Sequence, residues 1–120
     1  MLNKQGAKLV LYGIKNCDSC RSAMKWLEKH NVPFTFHDFR VSGLDEAMLK
    51  SWLESDQAPK LLNKRSTSWR QLSDQQKQAA ETDPLQLLLA NPTLIKRPVI
   101  SDGKKIVEVG FSADKMEGII

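Results

Sequence analysis

Cysteine is scarce in this chain, two residues in 120, and both fall in one tetrapeptide, Cys17-Asp18-Ser19-Cys20. That excludes the many-bridged scaffold of small secreted domains. A bridge between the two would close a very short loop and constrain the unfolded chain little, so reactivity explains the pair better than stapling. Histidine is equally rare, and His30 and His37 lie on different segments, outside the usual zinc-ligand spacing relative to the cysteines; no metal site is expected. Long hydrophobic runs are missing too. Met1 to Ala7 is polar and leads into Leu9 to Leu11, far too short for a signal-peptide core or a membrane span. A cytoplasmic protein without a membrane partner is therefore expected. The chain has no internal repeat and no low-complexity tract.

What is present suits one folded domain. The sequence is 41% hydrophobic and 27% charged, with mean hydropathy −0.40, the balance of an ordinary globular protein. Eighteen basic against fourteen acidic residues leave +4. Such a modest excess favours thiolates, oxyanions or acidic partners without announcing direct nucleic-acid binding.

Periodicity divides the chain. Lys8 to Tyr12, ended by Gly13, reads as a strand buried on both faces. Asp18 to His30 repeats apolar residues at Cys20, Ala23, Met24 and Leu27, one face of a helix, stopped by Asn31 and Pro33. Phe34 to Phe39 gives a second strand, parallel to the first if a right-handed crossover joins them. Leu44 to Leu53 is helical in period, with Leu44, Ala47, Met48 and Trp52 on one face. Ser73-x-x-Gln76 and Asp83-Pro84-x-Gln86 are helix starts, the second with Leu85, Leu88 and Leu89 as its inward stripe. Arg97 to Ile100 and Lys105 to Val109 form a hairpin turning on Asp102-Gly103, and Phe111 to Ile120 is a closing helix capped by Ser112. The order βαβ, helices, ββα is that of an α/β, thioredoxin-like fold with a four-stranded mixed sheet: core segments 8–40 and 93–120, and a helical insertion at about 44–92.

The tetrapeptide sits where strand passes into helix. There, unpaired N–H groups and the helix dipole favour a thiolate over a thiol at Cys17, with Lys15 and Arg21 assisting and Asp18 opposing. Cys20, one turn inward, suits a resolving thiol that attacks a mixed disulfide on Cys17, although a plain core cysteine would show the same spacing. His30 reads as a cation at a helix end and His37 as a strand side chain of no special role. Arg97-Pro98 opens a strand where a cis bond is tolerated; facing the helix start, it would expose backbone to an extended substrate while Arg97 held a carboxylate or oxyanion. Lys60, Lys64, Arg65 and Arg70 form a positive run around Trp69, either an anion-accepting rim or a solvated face. The three tryptophans read as core or partly buried aromatics.

Three ordered motifs carry a resemblance: Leu11-Tyr12-Gly13-Ile14-Lys15-Asn16-Cys17-Asp18, Leu61-Leu62-Asn63-Lys64-Arg65-Ser66-Thr67-Ser68-Trp69-Arg70, and Asn91-Pro92-x-Leu94-Ile95-Lys96-Arg97-Pro98. Over almost the whole chain the sequence resembles the arsenate-reductase-like (ArsC/Spx/YffB) family, closest to its YffB branch. The resemblance implies a thioredoxin-like fold with a helical insertion, Cys17 as nucleophile, Arg97 as anion contact, and a cis Arg97-Pro98 bond. It also implies glutathione or glutaredoxin as co-reductant, and no tightly bound cofactor. Lys15, Asn16, Asn63, Arg65, Arg97 and Pro98 fall on the motifs expected to bind a thiol or disulfide substrate. Two departures bear on chemistry. Asn63 stands where arsenate reductases of this type resemble Leu-Leu-Arg, and Val109 to Ser112 holds no arginine before the last helix, so poor or no arsenate reduction is expected. Cys20 gives the chain a second thiol, unlike the single-thiol pattern of the YffB branch. The competing class is an Spx-like redox-switch regulator, which carries C-x-x-C followed by arginine, here Cys17 to Arg21, and binds RNA polymerase. A monomer is the default oligomeric state.

Overall fold

The computed structural model describes residues 9–119. Four strands form one mixed sheet in the order β2-β1-β3-β4, with β1 at Leu9–Gly13, β2 at Phe34–Asp38, β3 at Val99–Ser101 and β4 at Ile106–Val109. β1 runs parallel to β2, Leu11 opposite Phe36, and antiparallel to β3, Leu11 opposite Ile100. β3 and β4 are antiparallel, with a register shift between Ile100 and Ser101. Helix α1 (Asp18–Lys29) makes the crossover between the parallel strands, and α7 (Ala113–Ile119) closes the chain. This is the thioredoxin-like arrangement, and it follows from the order of apolar periods along the chain.

Two compact units are present, one built from the chain up to Gly43 together with Arg97 onward, the other from Leu44–Lys96. In the first, Leu9, Leu11, Ala23, Leu27, Val32, Ile100, Met116 and Ile119 form the buried cluster, with Met24, Trp26 and Phe36 packed partly against it. β1 alternates rather than being buried on both faces: Leu9, Leu11 and Gly13 are buried, while Val10 and Tyr12 are half-buried. Met24 is likewise half-buried, because the inward stripe of α1 is only as wide as Cys20, Ala23 and Leu27. Phe39, expected in β2, instead begins a short helix, α2 (Phe39–Ser42), where the Asp38 carboxylate accepts the Arg40 N–H at 2.8 Å and stops the strand. The hairpin connection is longer than a two-residue turn. Asp102 Oδ1 accepts from both Lys104 and Lys105 N–H, and Gly103 takes φ 97°. Ser112 Oγ accepts the Lys115 N–H at 3.4 Å at the start of α7, the expected cap; Lys8 and Ile120, placed above in the first strand and the last helix, lie outside the described residues.

The second unit contains α3 (Glu46–Leu53), α4 (Thr67–Arg70), α5 (Asp74–Thr82) and α6 (Pro84–Ala90), with 3-10 turns at Ala58–Lys60 and Pro92–Leu94. α5 opens with a capping box between Ser73 and Gln76, and the Asp83 carboxylate caps α6 ahead of Pro84. The inward stripes keep Trp52 on α3 and Leu88 on α6 as expected, but Leu49 and Leu87 are the other buried positions, Leu44, Met48, Leu85 and Leu89 are half-buried, and Ala47 is exposed. Residues 93–96 belong here rather than to the sheet segments. Asn63 N–H donates to Leu94 C=O at 2.8 Å, Lys96 N–H donates to Leu61 C=O at 2.7 Å, and Leu62 pairs with Ile95. Among the described residues no helix is long and apolar enough to cross a membrane.

Leu27 is fully buried between α1 and the sheet. Leu27→Ala is expected to cost about 2 to 5 kcal/mol of stability through lost burial and the cavity left behind. The check is a urea titration, read as a lower midpoint at unchanged slope.

Candidate functional site

The loop Ile14 to Cys17 carries the chain from β1 into α1. Cys17 is the N-cap of α1, with extended backbone at φ −141° and ψ 123°, and its C=O accepts the Arg21 N–H at 2.9 Å. Its sulfur does not replace the short capping bond of a serine or aspartate; it sits half-exposed beside the first-turn amides. Cys20, in that first turn, is fully buried. The two are free thiols.

Environment separates them. Burial raises the Cys17 pKa, but the Cys20 backbone N–H, the Arg97 guanidinium and the Cys20 thiol outweigh it, and the net displacement is downward. Burial pushes Cys20 the other way, up to about 12, and the neighbouring Cys17 adds to that rise. Ionisation is thus favoured at Cys17 and disfavoured at Cys20, whose thiol donates a hydrogen bond to the Cys17 sulfur.

Gly13 makes the approach of the sulfurs possible. A Cβ there would collide with Cys20 Sγ, while it would meet Arg97 Cβ at an ordinary 3.8 Å, so the end of β1 must be a glycine for Cys20 Sγ to take this position. Asp38 fixes the other side of the loop: Oδ2 accepts the Lys15 N–H at 3.0 Å while Oδ1 holds α2. The backbone N–H groups of Arg40 and Lys15 offset its desolvation and hold the carboxyl below its ordinary pKa.

Of the residues expected at the site, Cys17, Cys20 and Arg97 come together, and the Arg97-Pro98 bond is cis. Lys15 contributes its backbone rather than its exposed side chain. Asn16 Oδ1 accepts from Arg21, which also pairs with Asp18, so the Arg21 charge is spent on these neighbours. Pro98 is buried, and its C=O accepts the Gly110 N–H at 2.8 Å. Asn63 and Arg65 belong to the Leu44–Lys96 unit, where Asn63 Oδ1 accepts the Arg65 N–H at 3.1 Å and both line a cavity of that unit. His30 ends α1, stacked on Trp26 at 3.9 Å, and His37 bonds the Gly43 C=O. No group of three or more metal-ligating side chains gathers among the described residues. Gly13 and Asp38 were missed from sequence. Their signals were a glycine directly ending the strand before the Cys17 loop, and an aspartate ending the neighbouring strand.

A profile of the ArsC family matches residues 12–119. The chain belongs to the ArsC family. Among its ArsC-like relatives, an uncharacterized protein of Haemophilus influenzae is 46% identical over 106 residues, covering 87% of this chain and 91% of that one. The global transcriptional regulator Spx of Streptococcus pneumoniae is 30% identical over 114 residues, 93% of this chain and 85% of its own. Among solved structures, the YFFB (PA3664) protein superposes with a TM-score of 0.84 at 38% identity, covering 92% of this chain and 97% of that chain, which supports the YffB branch.

Two measurements test this ArsC-family site. Arg97→Ala removes a cation that favours the thiolate, so the pH at which Cys17 becomes half-reactive to iodoacetamide is expected to rise; in the parent protein it lies below the ordinary thiol value, and at pH 7 the variant should alkylate more slowly. Gly13→Ala is expected to displace Cys20 Sγ, raising the same half-point and costing about 1 to 3 kcal/mol of stability from overpacking.

Proposed function

We propose that this chain is a thiol-disulfide oxidoreductase in which Cys17 attacks and Cys20 resolves, with glutathione or a glutaredoxin as the reductant. The supporting observation is the half-exposed Cys17 sulfur at the start of α1 with the Arg97 guanidinium and the protonated Cys20 beside it. The Cys17 thiolate attacks one sulfur of a substrate disulfide, forms a mixed disulfide and releases the other half as a thiolate. Loss of the Cys17 negative charge removes part of what holds Cys20 protonated. Cys20 then gives up its proton to solvent and attacks Cys17 Sγ, forming the Cys17–Cys20 disulfide and freeing the second half. Two glutathione thiols, oxidised to their disulfide, or one glutaredoxin dithiol return both cysteines to thiols.

Burial still holds the Cys20 thiol above its ordinary pKa, so the resolving step is expected to accelerate as pH rises. Lys15, Asn16, Arg97 and Pro98 frame the substrate on this reading, and Asn63 and Arg65, in the Leu44–Lys96 unit, are left out of it. Arsenate is a poor substrate. Of three arginines that the resemblance implies for the oxyanion, only Arg97 is matched, and each missing charge-assisted contact is worth about 1.5 to 3 kcal/mol. A second reading, an Spx-like redox switch that binds RNA polymerase, draws support from the 30% identity to Spx across most of the chain and from arginine following the C-x-x-C pair.

Turnover on the mixed disulfide of glutathione and mercaptoethanol, coupled to glutathione reductase, separates these readings. The parent should turn over, Cys17→Ser should not, and Cys20→Ser should lose about tenfold or more at low glutathione. Full activity in Cys20→Ser would mean that external glutathione resolves Cys17 directly. Absence of turnover with capture of RNA polymerase subunits would establish the regulator, and arsenate reduction as fast as disulfide reduction would overturn the arginine argument.

A further inference from the structure

The sulfur of Cys20 lies against the turn that follows β1. It rests over Gly13, where a Cβ would collide with it, and it accepts a hydrogen bond from the next amide, the Ile14 N–H. Cys17 and the Arg97 guanidinium also act on it. Once Cys17 is tied up in a mixed disulfide, its charge no longer opposes ionisation of Cys20; burial still does, while the Ile14 N–H and the Arg97 charge favour it. An amide already aimed at the sulfur needs no reorganisation as that charge develops.

What holds this amide in place lies one strand away. Asp38 is the register partner of Gly13 at the end of β2. Its Oδ1 accepts the Arg40 N–H at 2.8 Å and the carboxylate also takes the Val41 N–H, both of which serve the start of α2. Its Oδ2 goes to a different segment and accepts the Lys15 N–H at 3.0 Å. Gly13 is thus fixed in the sheet and Lys15 is tied to Asp38, which leaves the buried Ile14 held between two fixed points.

Charge gives no reason for a carboxylate at this place. One strand from a pair of thiols, a negative group works against their ionisation. The Asp38 oxygens are occupied instead by the backbone donors of Lys15, Arg40 and Val41, and the Arg40 side chain adds its charge from the same side. If Asp38 acts on Cys20 by its charge, removing that charge speeds the resolving step. If it acts by holding Lys15, removing it slows the step. The two roles are opposite in sign.

We propose that Asp38 is a positioning residue for the resolving step: by holding the Lys15 N–H it keeps the Ile14 N–H aimed at Cys20 Sγ while that sulfur becomes the attacking thiolate. The Ile14 amide is the group in contact with the reacting atom, and Asp38 acts through it. This rests on the redox reading above, in which Cys20 resolves.

Mixing the reduced full chain with one equivalent of dithiobis(nitrobenzoate) reads the two thiols in turn. The Cys17 thiolate attacks the reagent's disulfide and releases a first thionitrobenzoate; Cys20 then loses its proton to solvent, attacks Cys17 Sγ and expels the second, leaving the Cys17–Cys20 disulfide. Asp38→Asn still offers an oxygen to cap α2 but has no second one for Lys15. Its second phase is expected to slow about tenfold, well beyond any change in the first, because the donor at the reacting sulfur is no longer held. Asp38→Glu keeps the charge and moves the oxygens by a methylene, and it should slow the second phase too. In the parent, where no folding defect can interfere, the Ile14 and Lys15 amide protons should both be protected from solvent exchange. A second phase in Asp38→Asn as fast as the parent's or faster, which is what loss of charge alone would give, or rapid exchange of either amide in the parent, would overturn the proposal. A parent that releases only one thionitrobenzoate would overturn the redox reading and the proposal with it.

Discussion

Burial of the half-exposed Cys17 sulfur opposes its ionisation, and the arrangement around it offsets that penalty. Burial alone would keep the thiol protonated. Three groups offset it: the Cys20 amide in the first turn, the Arg97 guanidinium, and the Cys20 thiol. Each comes from a different part of the chain's geometry. The amide is a property of the helix start, while Arg97 arrives because β3 runs antiparallel to β1 with Val99 opposite Tyr12, which places the residues before Val99 at the Gly13 end. The thiol arrives because Gly13 has no Cβ to keep it away.

Charge is handled in two ways in this protein. Around the cysteines, cations and acids are partly consumed by local pairs: Arg21 by Asp18 and Asn16, Asp38 by the backbone of Lys15 and Arg40. Arg97 is left as the cation that acts on the sulfur. Between Leu44 and Lys96 the cations are instead set over aliphatic surface, and Lys64 and Lys77 lie 5.6 and 5.8 Å from the Trp69 ring, a favourable place for an ammonium group. Of the positive run, Lys60, Lys64, Arg65 and Arg70 are all exposed residues, and the first three also line a cavity.

Helix starts and strand order were legible because local chemistry writes them. The Ser73 and Asp83 caps, the inward Cys20, Ala23 and Leu27 of α1, and the antiparallel hairpin after Pro98 all follow from residues close together in sequence. Stripe phases in short helices were not. Over eight residues of α3 or seven of α6, a small shift of phase leaves the apolar pattern almost unchanged, and only packing chose Leu49 over Ala47 and Leu87 over Leu85. The change from strand to α2 at Phe39 escaped for a related reason: an aromatic residue extends a strand pattern as well as it starts a helix, and the Asp38 cap decided between them.

The sequence alone determined that a cysteine pair opens the first helix and that an Arg-Pro step precedes the third strand, because spacing and residue type carry those facts. Tertiary structure decided which sulfur ionises more readily, since desolvation and the nearness of Arg97 and Cys20 depend on how strands distant in sequence are registered. It also decided that Asp38 anchors the Cys17 loop and that Lys96, next to Arg97 in sequence, lines a cavity of the Leu44–Lys96 unit with Lys60 and Arg65. A chain read in order shows neighbours along the backbone; hydrogen bonds from 61–63 to 94–96 determine neighbours in space.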